Sequence, residues 1–174
     1  MTLMSTLLGC SHGSCLTKIV SGGQSGVDRA SLDVALALGI PCGGWCPQGR
    51  WAEDGAIPLH YPLMECERIE PALRTELNVR DSDATLVIGD GQESDGTALT
   101  IEFARRYKRP LLVMDPKRWA PGDFYAWFEL HQPRILNIAG ARESTNPGIY
   151  EQSYGLLLAL LTNLMSKSAT ERQL

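Results

Sequence analysis

A short β-branched run that breaks into glycines and then opens a helix constrains this chain most. It consists of Lys18-Ile19-Val20-Ser21-Gly22-Gly23-Gln24-Ser25-Gly26-Val27-Asp28. A strand, a glycine turn and a helix start in this order favour an α/β fold in which a ligand approaches the main chain at the turn. The N–H groups and partial positive charge at the helix start attract an anion. The residues that we expect to bind a phosphate or similar anion are Gly22, Gly23, Gln24 and Ser25.

The sequence of the turn does not identify its ligand. The spacing matches neither the dinucleotide fingerprint nor the P-loop, because no third glycine stands at the required offset and no Gly-Lys-Ser/Thr follows. Glycine pairs also end strands in loops that bind nothing. The carboxylate of Asp28 in the first helical turn would repel a phosphate directly above it. We expect Asp28 to meet a ligand hydroxyl, a cation or a basic neighbour such as Arg29.

Strand-like and helix-like segments alternate from this turn to the C-terminus. This alternation predicts an α/β fold: a doubly wound, mainly parallel sheet of about five or more strands with helices on both faces. The predicted strands are residues 18–20, 40–45, 84–88, 111–114 and 134–138, the second being short or at an edge because of Pro41 and its glycines. The predicted helices are residues 27–38, 72–79, 97–107, 122–131 and 149–165. Residues 47–71 show no period and predict an irregular insertion.

Length and composition exclude several classes of protein. A chain of 174 residues suits one domain, which we place at residues 17–166 between a poorly ordered extension (1–16) and a polar tail (167–174). The net charge of −4 gives no overall reason to expect nucleic-acid binding, and no apolar run is long enough to span a membrane. Five cysteines without an export signal indicate a cytoplasmic protein. Cys42 and Cys46 lack the second pair that a structural metal site needs, so we expect no bound metal.

The carboxyl ends of the predicted strands mark the candidate ligand crevice, as in other open α/β sheets. Ser94-Asp95-Gly96-Thr97 follows a buried strand and repeats the design of the first turn, with a hydroxyl at a helix start. Two helix starts facing one crevice would suit a ligand with two anionic ends or a pyrophosphate. The polar residues Arg74, Thr75 and Asn78, at the start of another helix, could lean over the same crevice.

The loop after the second predicted strand offers an arginine and two tryptophans. Arg50 could form paired hydrogen bonds to phosphate or oxyanion oxygens, and Trp45 or Trp51 could stack on a planar ring. The alternatives are ordinary, since a loop arginine is usually solvated and a tryptophan at a strand end usually packs in a core or rim.

Four motifs in the same order resemble the putative molybdenum carrier family. It is a branch of the Rossmann-like proteins that include the cytokinin-activating phosphoribohydrolases, long called lysine decarboxylases. The resemblance spans residues 17–165 and rests on residues 22–29, on 43–50 with 52–55, on 74–75 with 78–79 and 81–83, and on 95–97 with Thr100. It implies a Rossmann-like carrier of the molybdenum cofactor (molybdopterin), a pterin that bears a phosphate and a dithiolene-held oxyanion. It also implies a homo-oligomer, a dimer or tetramer.

At one position this sequence differs from the hydrolase relatives, and the difference favours binding over catalysis. Their Gly-Gly-x-Gly-Thr-x-x-Glu motif supplies a glutamate that acts on the sugar–base bond, and Thr100 stands at that position here. Without a carboxylate there, general acid–base help of about 10²–10⁴-fold is lost. We therefore assign no catalytic residue and expect a phosphorylated small molecule to be bound. The predicted binding residues are Gly22, Gly23, Gln24, Ser25, Asp28, Trp45, Arg50, Gly96, Thr97 and Thr100.

Two other functions stay open at this point. The chain could be a nucleotide phosphoribohydrolase that uses Asp28, Glu53 or Asp54 in place of the missing glutamate. It could also be a nucleotide-sensing module that acts through a partner or through a change of oligomer.

Overall fold

A computed structural model describes residues 16–89 and 95–171, with side chains up to residue 166. The predicted N-terminal extension lies outside these residues, apart from Leu16. The strands are β1 (Lys18–Val20), β2 (Cys42–Gly43), β3 (Trp45–Cys46), β4 (Trp51–Ala52), β5 (Gly55–Ala56), β6 (Met64–Glu65), β7 (Ala84–Ile88), β8 (Leu111–Met114) and β9 (Ile135–Gly140). The helices are α1 (Val27–Ala37), α2 (Pro71–Arg80), α3 (Asp95–Arg106), α4 (Pro121–His131) and α5 (Ile149–Glu171). None of the helices in the described part is long and apolar enough to cross a membrane.

The last strand of the chain lies in the middle of the main sheet. The strand order is β2-β1-β9-β7-β8, and every neighbouring pair is parallel. Counted from β9 as the first strand, the order becomes 3-2-1-4-5, which is that of a doubly wound fold. The β9–α5 unit therefore occupies the place in the sheet that the first strand–helix unit of a doubly wound fold takes, although it comes last in the chain. The predicted fold class is confirmed.

Two layers of helices cover the sheet. The larger core joins one face of β1, β7 and β9 to α1, α4 and α5, and it contains the fully buried Phe124 and Phe128. The opposite face carries α2 and α3, which pack on each other around Val79, Phe103 and Ala104. Right-handed crossovers require this division, because the connections that contain α1 and α4 run toward β2 and those that contain α2 and α3 run toward β8.

Glycine at position 44 divides the second predicted strand into two. The φ angle of Gly44 is +130°, and a Cβ there would lie 2.3 Å from the carbonyl oxygen of Ser21. The chain therefore leaves the main sheet after β2, and β3 pairs instead with β6 in a small separate sheet.

The insertion between β3 and α2 is more regular than its sequence suggests. It contains a short 3₁₀ turn, the β4–β5 hairpin and β6, and it packs on α1 through a core of its own that includes Ile57, Tyr61 and Leu63. Two other bounds also differ from prediction. Strand β9 extends two residues further, to Gly140, and α5 continues to Glu171, into the predicted tail.

Two glycines with similar positive φ angles, Gly44 at +130° and Gly55 at +116°, give a matched test of this geometry. A Cβ would have open space at Gly55, whereas at Gly44 it would overlap the backbone of Ser21. We expect Gly55→Ala to lower the free energy of unfolding by about 1–3 kcal/mol through backbone strain alone. Gly44→Ala adds an overlap that costs about 1–3 kcal/mol more. Urea denaturation of both variants measures the difference, and equal losses would contradict this account of Gly44.

Candidate functional site

A cleft opens at the carboxyl ends of β1 and β9, beneath α2 and the start of α3. Its position agrees with the rule that open α/β sheets bind ligands where the strand order reverses. The residues that line it are Gly22, Gln24, Asp28, Arg74, Thr75, Asn78, Gly96, Thr100, Asn137, Ala139, Gly140 and Arg142. Five of the ten predicted binding residues are among them: Gly22, Gln24, Asp28, Gly96 and Thr100.

A buried ion pair lies on the glycine turn, residues 21–26. Oδ2 of Asp28 accepts hydrogen bonds from Nη1 of Arg74 at 2.9 Å and from the backbone N–H of Gln24 at 3.2 Å. Asp28 and Arg74 are 4% and 9% exposed, so water screens the pair little. The basic neighbour of Asp28 is thus Arg74 on α2.

Arg29, the basic neighbour considered from sequence, binds elsewhere. Its Nε donates to the carbonyl oxygen of Gly23 at 2.8 Å, and its two Nη atoms each donate to Asp54 at 3.1 Å. Its guanidinium also lies 5.7 Å from the ring centroid of Tyr61. Arg29 therefore holds the glycine turn against the insertion.

Glu53 joins the glycine turn to the loop after β9. Its carboxylate accepts hydrogen bonds from the hydroxyl of Ser25, and from the hydroxyl and backbone N–H of Ser144 at 2.5 and 3.2 Å. Its backbone N–H donates to Oε1 of Gln24 at 2.9 Å. Burial alone would raise the pKa of Glu53, but these hydrogen bonds and the charge of Arg142 outweigh it and hold the pKa below its usual range.

The side chains of Arg50 and Trp45 form hydrogen bonds to protein groups outside the cleft lining. The guanidinium of Arg50 donates to four backbone carbonyl oxygens of the insertion, those of Ile57, Pro58, Tyr61 and Leu63, at 2.8–3.1 Å. Nε1 of Trp45 donates to Asp81 at 3.0 Å, and Trp51 is 47% exposed in β4. The structure gives Arg50 a role in folding the insertion.

The start of α3 forms one wall of the cleft. Gly96 and Thr100 line it, and the hydroxyl of Thr100 donates to the carbonyl oxygen of Gly96 at 2.9 Å. Thr97 is buried close by, while Ser94 lies outside the described residues. The side chain at the hydrolase glutamate position is thus bonded within its own helix.

Helix α2 brings three polar residues to the cleft: Arg74, Thr75 and Asn78. The amide of Asn78 exchanges two hydrogen bonds with the backbone of Trp45, at 2.8 and 2.9 Å, which fixes α2 against β3. The interpretation that this helix leans over the crevice is confirmed.

Strand β9 and the loop after it supply residues that the sequence reasoning missed. Asn137 and Arg142 both line the cleft, and Nδ2 of Asn137 lies 3.4 Å from the hydroxyl of Thr85. One signal was available, because Asn137 interrupts an otherwise apolar strand. Its relation to the glycine turn depends on β9 pairing with β1, which the order of elements along the chain hides.

The cleft carries a net positive charge. Its lining contains two arginines, Arg74 and Arg142, and one carboxylate, that of Asp28. No cluster of three or more potential metal ligands occurs among residues 16–89 and 95–171. The arrangement suits an anionic ligand.

The hydrogen bonds of Glu53 predict a pH dependence of stability. Because its folded-state pKa is lowered, Glu53 stabilises the fold above its unfolded-state pKa of about 4.3, and this contribution disappears as the pH falls through the folded-state value. We expect Glu53→Gln to be less stable than wild type at pH 7 and to lose less stability between pH 6 and 3. Urea denaturation across this range tests it, with the exposed Glu67 changed to Gln as a control that should cost less stability at pH 7.

Comparisons with known proteins agree with the resemblance of the motifs. Residues 19–161 match the circularly permutated YpsA family of SLOG proteins. The chain is 45% identical to a protein of known crystal structure from Syntrophus aciditrophicus that is named "putative molybdenum carrier protein". That alignment covers 84% of this chain and 96% of the other, with a TM-score of 0.80. No curated protein matches the chain.

A second solved structure is far less similar. It is that of (E)-4-hydroxy-3-methyl-but-2-enyl diphosphate reductase, with 12% identity and a TM-score of 0.36 over 82% of this chain and 61% of that one. This score is too low to relate the two folds. The family match and the permuted strand order agree, and the chain belongs to the circularly permutated YpsA family of SLOG proteins.

Proposed function

We propose that this protein carries a phosphorylated pterin or nucleotide-like ligand in the cleft and does not change it chemically. The molybdenum cofactor is the leading candidate, since the relative from Syntrophus aciditrophicus is named a putative molybdenum carrier. The observation that carries the proposal is the net positive, polar lining of a cleft at the strand ends. The expected cytoplasmic location and homo-oligomeric state stay predictions.

Arg142 is the cation best placed for the ligand's phosphate. It follows β9 directly and lines the cleft, and it forms no ion pair within the described parts of the chain. Helix α3 starts at the same cleft and adds a partial positive charge. A guanidinium that is not engaged by a carboxylate retains its capacity for charge-assisted hydrogen bonds to phosphate.

The chemistry of the lining fits the molybdenum cofactor in two respects. Arg142 matches the phosphate of the cofactor, and the side chains of Thr75 and Asn137 offer hydrogen bonds to a polar ring. The cofactor holds its metal through its own dithiolene, so no protein thiolate is required. Cys42 and Cys46 lie outside the cleft lining, and burial raises the pKa of both thiols.

The carboxylates near the cleft support binding without hydrolysis. Asp28 is paired with Arg74, Asp54 is paired with Arg29, and Glu53 accepts three hydrogen bonds from serines. The hydrogen bonds of Glu53 hold its pKa below the usual range, so it is a poor proton donor at neutral pH. The carboxylates of Asp28 and Asp54 are engaged by arginines, so none of the three is free to protonate a leaving base.

Titration of the protein with the cofactor under anaerobic conditions tests the proposal. We expect saturable binding of the molybdenum cofactor by isothermal titration calorimetry, and much weaker binding of molybdate alone, because molybdate lacks both the ring and the phosphate. Equal or absent binding of cofactor, molybdate and nucleotides would contradict it.

Incubation with nucleoside monophosphates should release no free base, and release of base would favour the hydrolase alternative.

A charge substitution tests the assignment of the phosphate to Arg142. We expect Arg142→Gln to weaken binding of the phosphorylated ligand by about 10- to 100-fold, since a hydrogen bond to a charged group contributes roughly 1.5–3 kcal/mol. Arg118→Gln is the matched control, because Arg118 is an exposed arginine outside the cleft lining. Affinities are measured by the same calorimetric titration. Equal effects of the two substitutions would remove Arg142 from the phosphate site.

A further inference from the structure

The anion position of the glycine turn is filled by the protein's own carboxylate. A phosphate at such a turn would accept hydrogen bonds from backbone N–H groups at the start of α1. Here the N–H of Gln24 donates to Oδ2 of Asp28, and the same oxygen accepts from Nη1 of Arg74. Asp28 therefore makes the contacts that a bound phosphate would make.

The space above Gly22 is taken by the same two side chains. A Cβ at Gly22 would lie 1.6 Å from Nη1 of Arg74 and 2.9 Å from Oδ2 of Asp28. Glycine is required here by the ion pair itself. An incoming phosphate would have to displace Arg74 and would meet the like charge of Asp28 at short range.

The ion pair offers complementary hydrogen-bonding groups to an uncharged ligand edge. Asp28 supplies a carboxylate acceptor, and Nε of Arg74 is a buried donor with no hydrogen-bond partner among residues 16–89 and 95–171. Buried donors are normally satisfied, and those that are not mark places where a ligand or a rearrangement supplies the missing partner. A ligand with an N–H or O–H facing Asp28 and an acceptor beside Arg74 would satisfy the hydrogen-bonding groups of both residues.

We propose that Asp28, held by Arg74, is a specificity-determining residue: it excludes phosphate from the glycine turn and accepts a hydrogen bond from an N–H or O–H of the ligand. The inference deepens the proposed function and rests on it for the ligand. The phosphate is then bound at the other side of the cleft, by Arg142 and the start of α3, and not at the glycine turn. This proposal about Asp28 replaces the expectation that residues 22–25 bind a phosphate.

Chemical rescue tests the occupied turn without any organic ligand. Asp28→Ala leaves Arg74 and the N–H of Gln24 without their anion, so inorganic phosphate should bind at the turn and raise the Tm of this variant. The expected rise is about 3–6 °C at ten times the dissociation constant. Wild type should show a smaller rise, because phosphate can bind there only at Arg142 and the start of α3. Asp54→Ala is the matched control, because it frees Arg29, an arginine outside the cleft lining.

The changes in Tm that phosphate causes distinguish support for the proposal from its failure. A larger rise in Asp28→Ala than in wild type and Asp54→Ala supports the proposal, and if Asp28→Ala folds only in phosphate, its recovery is the same result. Equal rises in all three proteins, or none, overturn it. Asp28→Ser is measured in parallel as a milder variant that also removes the carboxylate, and phosphate should stabilise it as well.

Guanosine 5′-monophosphate probes the hydrogen bond from the ligand, because guanine and pterin share an amino-lactam ring edge. Its 2′,3′-dideoxy analogue lacks the sugar hydroxyls, and inosine 5′-monophosphate lacks the ring amino group. One of these analogues should bind wild type at least tenfold more weakly than guanosine 5′-monophosphate, and Asp28→Asn should remove the difference. Equal binding of the three by wild type overturns the role of Asp28, whereas failure of both the nucleotides and the molybdenum cofactor to bind counts against the proposed function.

Discussion

The pairing of β9 with both β1 and β7 is the constraint on which the rest of this structure depends. Through it, the final strand of the chain becomes the centre of the sheet, with six residues of which Leu136 and Ile138 are fully buried. Parallel pairing aligns the carboxyl end of β9 with that of β1. The glycine turn and Arg142 then lie at one cleft although more than a hundred residues separate them along the chain.

The insertion is attached to this centre by polar contacts as well as by its own small core. Oε1 of Gln24 accepts hydrogen bonds from the backbone N–H groups of Ser25 and Glu53. Glu53 in turn binds Ser144, beyond β9. A segment with little sequence periodicity thus has a defined position, because its core packs on α1 and its carboxylates Glu53 and Asp54 bind Ser25 and Arg29.

The sequence predicts the local elements well and their spatial neighbours poorly. The glycine turn, the apolar strand Ala84–Ile88 and the helix Ile149–Glu171 are visible in local patterns, because each depends on residues close in the chain. The contribution of Asn137 and Arg142 to the cleft could not be read in this way, since it depends on a strand order that local patterns do not encode. Arg50 shows the same limit, because its backbone partners are set by the folded insertion.

The permuted order explains why the cleft does not depend on where the chain begins. Its walls are the carboxyl ends of neighbouring strands and the starts of helices, and these are defined by position in the sheet. Moving one strand–helix unit from the beginning of a chain to its end leaves every such neighbour in place. Gly22 illustrates the local counterpart of this argument: its lack of a side chain is required by Arg74, which arrives from α2. A glycine turn in sequence therefore indicates close approach by some group, and only the fold shows whether that group belongs to a ligand or to the protein.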